Sequence, residues 1–266
     1  MDYDYTKTPV VFVHGHGMTS SSWNSLVNYL CESGYPKEYL RAIQLTPNDG
    51  PNIEAAEKQI APFVEQFLAD VNQYLVFVQP MIQPKTKVDI VSHSMGALSA
   101  RWYAAKIRPE RIRTWVSLAG ANHGSDALCL YVGRDNGAAD DVCPAFADAK
   151  EKSLIQFVLN GLPHLPDVDE TPYGLGRDSP GVKSIPPDED RSIFYITVRK
   201  INDEWIIPYE SAILDGAGGK TIAIPVDLPA IEDPPGNIQM KHKVRHDPML
   251  EDEKTMRLLR TILELK

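Results

Sequence analysis

Long apolar runs are missing from this sequence. The longest, Val10–Val13 and residues 74–78, fall far short of the ~20 residues that cross a bilayer, so integral membrane association is not expected. Positive charge is in deficit: 27 Lys and Arg face 36 Asp and Glu, a net charge of -9. That balance argues against nucleic acid as a partner and against electrostatic docking on anionic membranes. Cysteine is scarce, and the three present are too few for a disulfide scaffold and lack zinc-finger spacing. No leader precedes the first apolar run, since the chain opens MDYDYTKTP. The protein is therefore expected to be intracellular or to have lost a leader. Repeats and low-complexity tracts are also lacking. What is there, 43% hydrophobic and 24% charged over 266 residues, is the balance of a soluble globular protein with room for one large core or two small ones.

Up to about residue 120, strand-like and helix-like segments alternate. Residues 8–14 form a short apolar run ending in glycine, the pattern of a buried strand. Residues 21–33 carry Trp23, Leu26, Val27 and Leu30 at helical spacing behind a serine cluster that can cap them. Residues 40–46 alternate as a strand does, and residues 52–78 have the spacing of a long amphipathic helix. Residues 87–93 and 111–119 read as strands around a helix over 95–107. Such alternation predicts an α/β fold, a mostly parallel sheet with helices on both faces.

Beyond Gly120 the texture changes. Twelve of the 21 prolines lie past residue 160, and residues 121–190 hold one clear helix-like stretch, 149–160. A long irregular segment in a compact domain is usually a lid or a binding wall. The stripe Leu154, Ile155, Phe157, Val158 and Leu162 fits either a cover over a site or a helix packed on the core. Strand patterns resume at 191–198 and 220–225, and a helix over 249–265 closes the chain. One domain over 1–266 with an insertion at about 121–190 is the economical expectation.

The sharpest local signal is Ser92-His93-Ser94-Met95-Gly96, where a predicted strand meets a predicted helix. A serine there sits on a sharp turn that lifts its hydroxyl clear of the sheet. The residues two before and two after must be small, because strand and helix cross closely. Ser92 stands where glycine is usual and keeps the smallness. A serine hydroxyl needs a base within hydrogen-bond reach and a third group to orient that base. His246, in Arg245-His246-Asp247-Pro248 just before the last helix, has the expected position. His242, between Lys241 and Lys243, is the rival, and His123 and His164 also follow the serine. For the acid, Asp203 and Glu204 are adjacent after the next strand; Asp203 is shorter and more rigid, and Glu204 is the alternative. The backbone N–H groups of Met95 and of His16, in the loop His14-Gly15-His16-Gly17, are the candidate oxyanion donors. His14 and His16 also have the look of metal ligands, but no carboxylate cluster completes a site, and no metal is expected.

These residues, taken in order, resemble the class 2 lipases, bacterial lipases and esterases of the α/β-hydrolase superfamily. The likeness runs through VVFVHGHG, SSSWNSL, SGYPKEYLRAIQLT, VSHSMG, LAGANHGS, INDEWIIPYESAILDGAGG and RHDPML. Extracellular polyhydroxyalkanoate depolymerases are related and also tolerate a non-glycine residue at the Ser92 position. The resemblance implies an α/β-hydrolase fold with an insertion, a possible lid, after the sixth strand. It implies a serine carboxylic-ester hydrolase without cofactor, with Ser94 as nucleophile, Asp203 as acid, His246 as base, and His16 and Met95 as the oxyanion hole. Its partner would be an ester substrate, an acylglycerol, short-chain ester or polyester, taken by a monomer. A polyester depolymerase and a catalytically inactive binding module on the same scaffold are the alternatives. Secreted relatives often carry a disulfide where Cys129 and Cys143 stand, which implies a bridge and an extracytoplasmic setting. Two ordinary thiols in a reducing cytosol are the competing expectation.

Overall fold

The structure is a computed structural model that describes residues 3–147, 153–160, 193–214, 217–218 and 222–265. Half of the anticipated insertion, with Leu162 and His164, lies outside these residues, as do positions 149–152 of the expected helix.

The described residues form a seven-stranded sheet of order β2-β1-β3-β4-β5-β7-β6. Its strands are β1 (Val10–Val13), β2 (Leu40–Ile43), β3 (Val88–His93), β4 (Ile112–Leu118), β5 (Phe194–Lys200), β6 (Ala230–Glu232) and β7 (Asn237–Met240). Neighbours pair in parallel, except that β6 runs antiparallel to β7 at one edge. The segment expected behind a sixth strand follows β4, the fourth in chain order.

Strand periodicity sends alternate side chains to opposite faces, and β1 shows the result. Val11 and Val13 join a core with Val64, Phe67, Leu68 and Val71 of α3 (Ala61–Val78). Val10 and Phe12 join another with Leu26 and Leu30 of α1 (Asn24–Glu32) and Leu258, Leu259 and Ile262 of α7 (Glu253–Leu263). Helices therefore cover both faces. The long helix predicted over 52–78 is one helical path in three parts: α2 (Asn52–Ala55), a π-helical stretch Ala56–Ile60, and α3. Pro62 at the head of α3 has no N–H to close an i→i−4 bond, which accounts for the irregular winding before it.

Two expectations need correction. Residues 222–225 belong to no strand, although Ile222 and Ile224 pack in the core on the Phe12 side. The apolar pattern reported burial rather than pairing, and Pro225 has no N–H to offer a ladder. β5 pairs instead with β7, whose Asn237 is buried and accepts from Thr197 Oγ1 at 2.6 Å and Leu214 N at 2.8 Å. The closing helix is also shorter than its pattern: a 3₁₀ turn Asp247–Leu250 precedes α7, which Asp252 caps through Thr255 N at 2.8 Å.

Candidate active site

The loops after β1, β3, β5 and β7 leave the C-terminal ends of parallel strands, the edge where α/β sheets carry their sites. They bring His16, Ser94, Asp203 and His246 to that edge. Ser94 follows β3 directly and heads the turn into α4 (Gly96–Trp102), at φ 54°, a left-handed conformation that costs a non-glycine residue energy. Bonds on both sides hold the turn: Ser94 N donates to Leu118 O at 3.0 Å, and Ala97 N and Ala121 N donate to Ser94 O, each at 3.1 Å. Gly96 is obligatory here, since a Cβ would lie 2.3 Å from His14 O. At Gly15 a Cβ would lie 2.8 Å from Ser94 Cβ, so the loop after β1 rests against the serine turn. Ser92 is tolerated because its hydroxyl turns to the neighbouring strand and donates to Val116 O at 2.9 Å.

The His246 ring is buried, and its Nδ1 lies 3.0 Å from Asp203 Oδ2 and 2.9 Å from Oδ1. Asp203 is itself fixed by N–H donors from Trp205 at 2.8 Å and Ile206 at 3.0 Å. Glu204 meets the same histidine differently: its Oε1 accepts from the His246 backbone N at 2.8 Å, and its Oε2 accepts from Lys200 Nζ. Burial opposes ionisation of Glu204, but those two bonds outweigh it and hold the carboxyl at about 2. The carboxylate on the ring is thus that of Asp203, and Glu204 fixes the main chain beneath it. His246 Nε2 is buried and has no hydrogen-bond partner among the described residues.

Ser94 and His246 line one cavity of about 160 Å³ together with His16, Met18, Leu128, Tyr131, Trp205 and Asp247. Neither the His16 nor the Met95 amide donates to a backbone acceptor among the described residues. Four other histidines among the described residues have partners of their own. Leu45 N donates to His14 Nε2 at 3.0 Å while His14 Nδ1 lies 2.9 Å from Gly15 O, and burial pushes the His14 pKa down. His16 Nε2 lies 2.9 Å from Asp135 Oδ2, so the i, i+2 pair does not converge on one point. His242 bonds Asp252 at 2.9 Å, and His123 Nδ1 donates to Ser211 O at 3.0 Å. His93, His246 and Asp247 come within 4.8 Å of one another in a grouping of metal-ligand type, but one that includes the ring held by Asp203.

Sequence reasoning overlooked several of these residues. His93 packs against His246 with ring centroids 4.5 Å apart and the planes tilted by 44°, and its Nε2 donates to His246 O at 3.2 Å. Burial first, and the charge of His246 second, drive the His93 pKa well below its ordinary value. Its place inside the serine pentapeptide was the available signal. Tyr131 and Asp135 belong to a segment closed by the Cys129–Cys143 disulfide, Cα–Cα 5.0 Å, which contains α5 (Ala138–Val142), and Leu128 immediately precedes it. Cys31 is free. The apolar stripe is a helix on the core as far as it is described: α6 (Leu154–Asn160) buries Ile155 and Leu159 against Met95, Leu98 and Val142, with Leu154 exposed.

The profile of the family described as Lipase (class 2) matches residues 7–147. Among solved structures, the mature form of the Bacillus licheniformis lipase BlEst2 superposes with a TM-score of 0.59 at 16% identity, covering 99% of this chain and 94% of that one. A carboxylesterase of the thaumarchaeon Nitrososphaera gargenis gives a TM-score of 0.50 at 12% identity, covering 98% and 91%. Likeness at such identity speaks to the fold alone, and the fold is that of the α/β-hydrolases. No helix among the described residues is long and apolar enough to cross a membrane.

Proposed function

Because the chain belongs to the class 2 lipase family, and so among hydrolases that act on esters, we propose that it works through an acyl-enzyme on Ser94, with His246 as base and Asp203 as acid. One observation carries this reading: His246 is tied to Asp203 through Nδ1 and keeps its Nε2, without a partner among the described residues, beside the cavity that Ser94 lines.

The chemistry follows from the geometry. The Ser94 hydroxyl attacks the ester carbonyl as His246 Nε2 accepts its proton, and the same nitrogen then delivers that proton to the leaving alcohol. Asp203 accepts the Nδ1–H, which fixes the tautomer and stabilises the imidazolium. His93 stays neutral beside it, so the charge formed on His246 meets no second cation. Charge developing on the carbonyl oxygen is met by the His16 and Met95 amides, worth roughly 10²–10³ in rate per donor in comparable sites. Water then attacks the acyl carbonyl as His246 takes its proton, and the same nitrogen returns that proton to Ser94 Oγ as the acyl–oxygen bond breaks and the carboxylic acid leaves, to ionise in solvent.

The same proposal takes the chain as one α/β-hydrolase domain whose 121–190 segment supplies a wall of the substrate site, a role supported by Leu128 and Tyr131 in the cavity lining. The Cys129–Cys143 bridge supports an oxidising, extracytoplasmic setting. Turnover of p-nitrophenyl esters by wild type and Ser94→Ala tests the mechanism. The expected loss is at least about a thousandfold in kcat, with fluorophosphonate labelling confined to wild type. Retained turnover in the variant overturns the assignment, and folded wild type that is neither labelled nor active favours the inactive binding scaffold.

A further inference from the structure

The loop that carries the His16 amide holds that peptide from its carbonyl side. His16 stands between two glycines, and the loop's backbone bonds are Gly17 N to Asn48 O at 3.0 Å and Met18 N to Gly15 O at 3.2 Å. The second of these engages Gly15 O, as His14 Nδ1 does at 2.9 Å, so the peptide that carries the His16 N–H is anchored on its carbonyl side. What seizes the residue is its side chain. His16 Nε2 lies 2.9 Å from Asp135 Oδ2, and the ring packs on Tyr131 with centroids 5.3 Å apart.

Asp135 is built to be immovable. Its side chain is 3% exposed. Besides His16 it accepts from Gly137 N at 3.0 Å on Oδ1 and from Ala139 N at 2.8 Å on Oδ2. The turn bearing it is moored in turn to the loop after β2, by Ala138 N to Asp49 O at 3.0 Å and Asn136 Nδ2 to Asp49 Oδ1 at 2.7 Å. The Cys129–Cys143 bridge closes the segment around it. The His16 peptide thus has two holds: Gly15 O, on its carbonyl side, is bonded inside the loop, and the Cα on its N–H side is held from outside through the ring that Asp135 pins.

We propose that Asp135 is a positioning residue for ester hydrolysis: by holding the His16 ring it aims the His16 N–H at the oxygen of the scissile carbonyl. This rests on the reading of Ser94 as nucleophile and of the His16 amide as an oxyanion donor. The ring itself takes no part in proton transfer, and Asp135 touches no reacting atom. Because the donor acts on charge that exists in the transition state, its misplacement reduces kcat and leaves ground-state binding alone.

Three variants of the full chain test this on a p-nitrophenyl ester: His16→Ala, Asp135→Ala and the double variant. Each single change is expected to lower kcat by about ten- to a hundredfold, the range for a displaced catalytic group, with KM within about threefold of wild type. The double variant is expected to lose no more than either single one, since both cut the same link. Affinity for a trifluoromethyl ketone, which forms a tetrahedral oxyanion on the serine, should fall in parallel with kcat/KM, while affinity for the unfluorinated ketone holds. Losses that multiply in the double variant, or a loss confined to KM, overturn the proposal, as does wild-type kcat in His16→Ala. If Asp135→Ala does not fold, His16→Ala decides alone, because it leaves Asp135 bonded to Gly137 and Ala139. Ser94→Ala run alongside separates the two failures: activity there removes the nucleophile, whereas a dead Ser94→Ala beside a fully active His16→Ala removes only the role of Asp135.

Discussion

Adjacent carboxylates at positions 203 and 204 look interchangeable on paper, and three dimensions give them separate work. Asp203 meets the imidazole, while Glu204 meets the backbone N–H of the same residue and Lys200. Their substitutions should therefore fail differently. Asp203→Asn is expected to reduce kcat by about 10⁴, as loss of the orienting carboxylate does in comparable triads, with little change in melting temperature. Glu204→Gln is expected to keep most of kcat and lose stability on the order of 1 kcal/mol, discounted because the side chain is 41% exposed. The pH dependence has a definite sign. Glu204 sits at about 2 in the fold against an ordinary 4.5, so its contribution is complete above 4.5 and fades as pH falls toward 2. Urea midpoints of wild type and Glu204→Gln should thus differ by a constant amount near neutrality and converge in acid. A gap that widens in acid contradicts this account. Neither residue alone displayed its role in the sequence, because a two-carboxylate run does not reveal which side chain the turn at Asn202, φ 53°, directs to the ring.

At the scale of elements, the disulfide-closed segment is the one with most at stake. It supplies Tyr131 to the cavity, just after Leu128, and Asp135 to His16, yet its own regular structure amounts to the end of a 3₁₀ stretch Asp126–Tyr131 and the five-residue α5. Closing a loop with a sequence separation of 14 is worth about 3 kcal/mol in the chain-entropy account. Reduction is expected to lower the melting temperature by several degrees, and alkylation with mass spectrometry should register two more thiols after reduction, with Cys31 accessible in both states. No gain in thiols contradicts the bridge. Elements of this kind leave a faint trace in sequence. β1, β3 and β4 were legible because each is an apolar run between turn residues, and the serine turn was legible because steric crowding at Gly96 narrows the choice of residue. β7 was not legible: its first residue, Asn237, is a buried polar side chain whose partners Thr197 and Leu214 lie far away in the chain. The link from Asp135 to His16 spans 119 residues and has no periodicity to betray it.

For the molecule as a whole, stability is a small remainder of large opposing terms, roughly 5–15 kcal/mol in domains of this kind. The serine turn draws on that remainder, since a left-handed φ costs a non-glycine residue about 1–2 kcal/mol. Two variants that both lack the hydroxyl measure the cost. In an ordinary strand or helix, glycine is the less stable replacement by about 0.5–1 kcal/mol relative to alanine; at φ 54° the order should invert, with Ser94→Gly melting above Ser94→Ala. The usual order would mean that the turn is unstrained. The inversion bears on how such a chain changes under selection for heat resistance alone. At position 94 the backbone is better suited by a residue with no side chain, so screening for thermal tolerance without an activity assay would tend to discard Ser94 first. On the proposed mechanism, a serine kept at so unfavourable a dihedral is a record of selection for turnover, written in the backbone rather than in the identity of the residue.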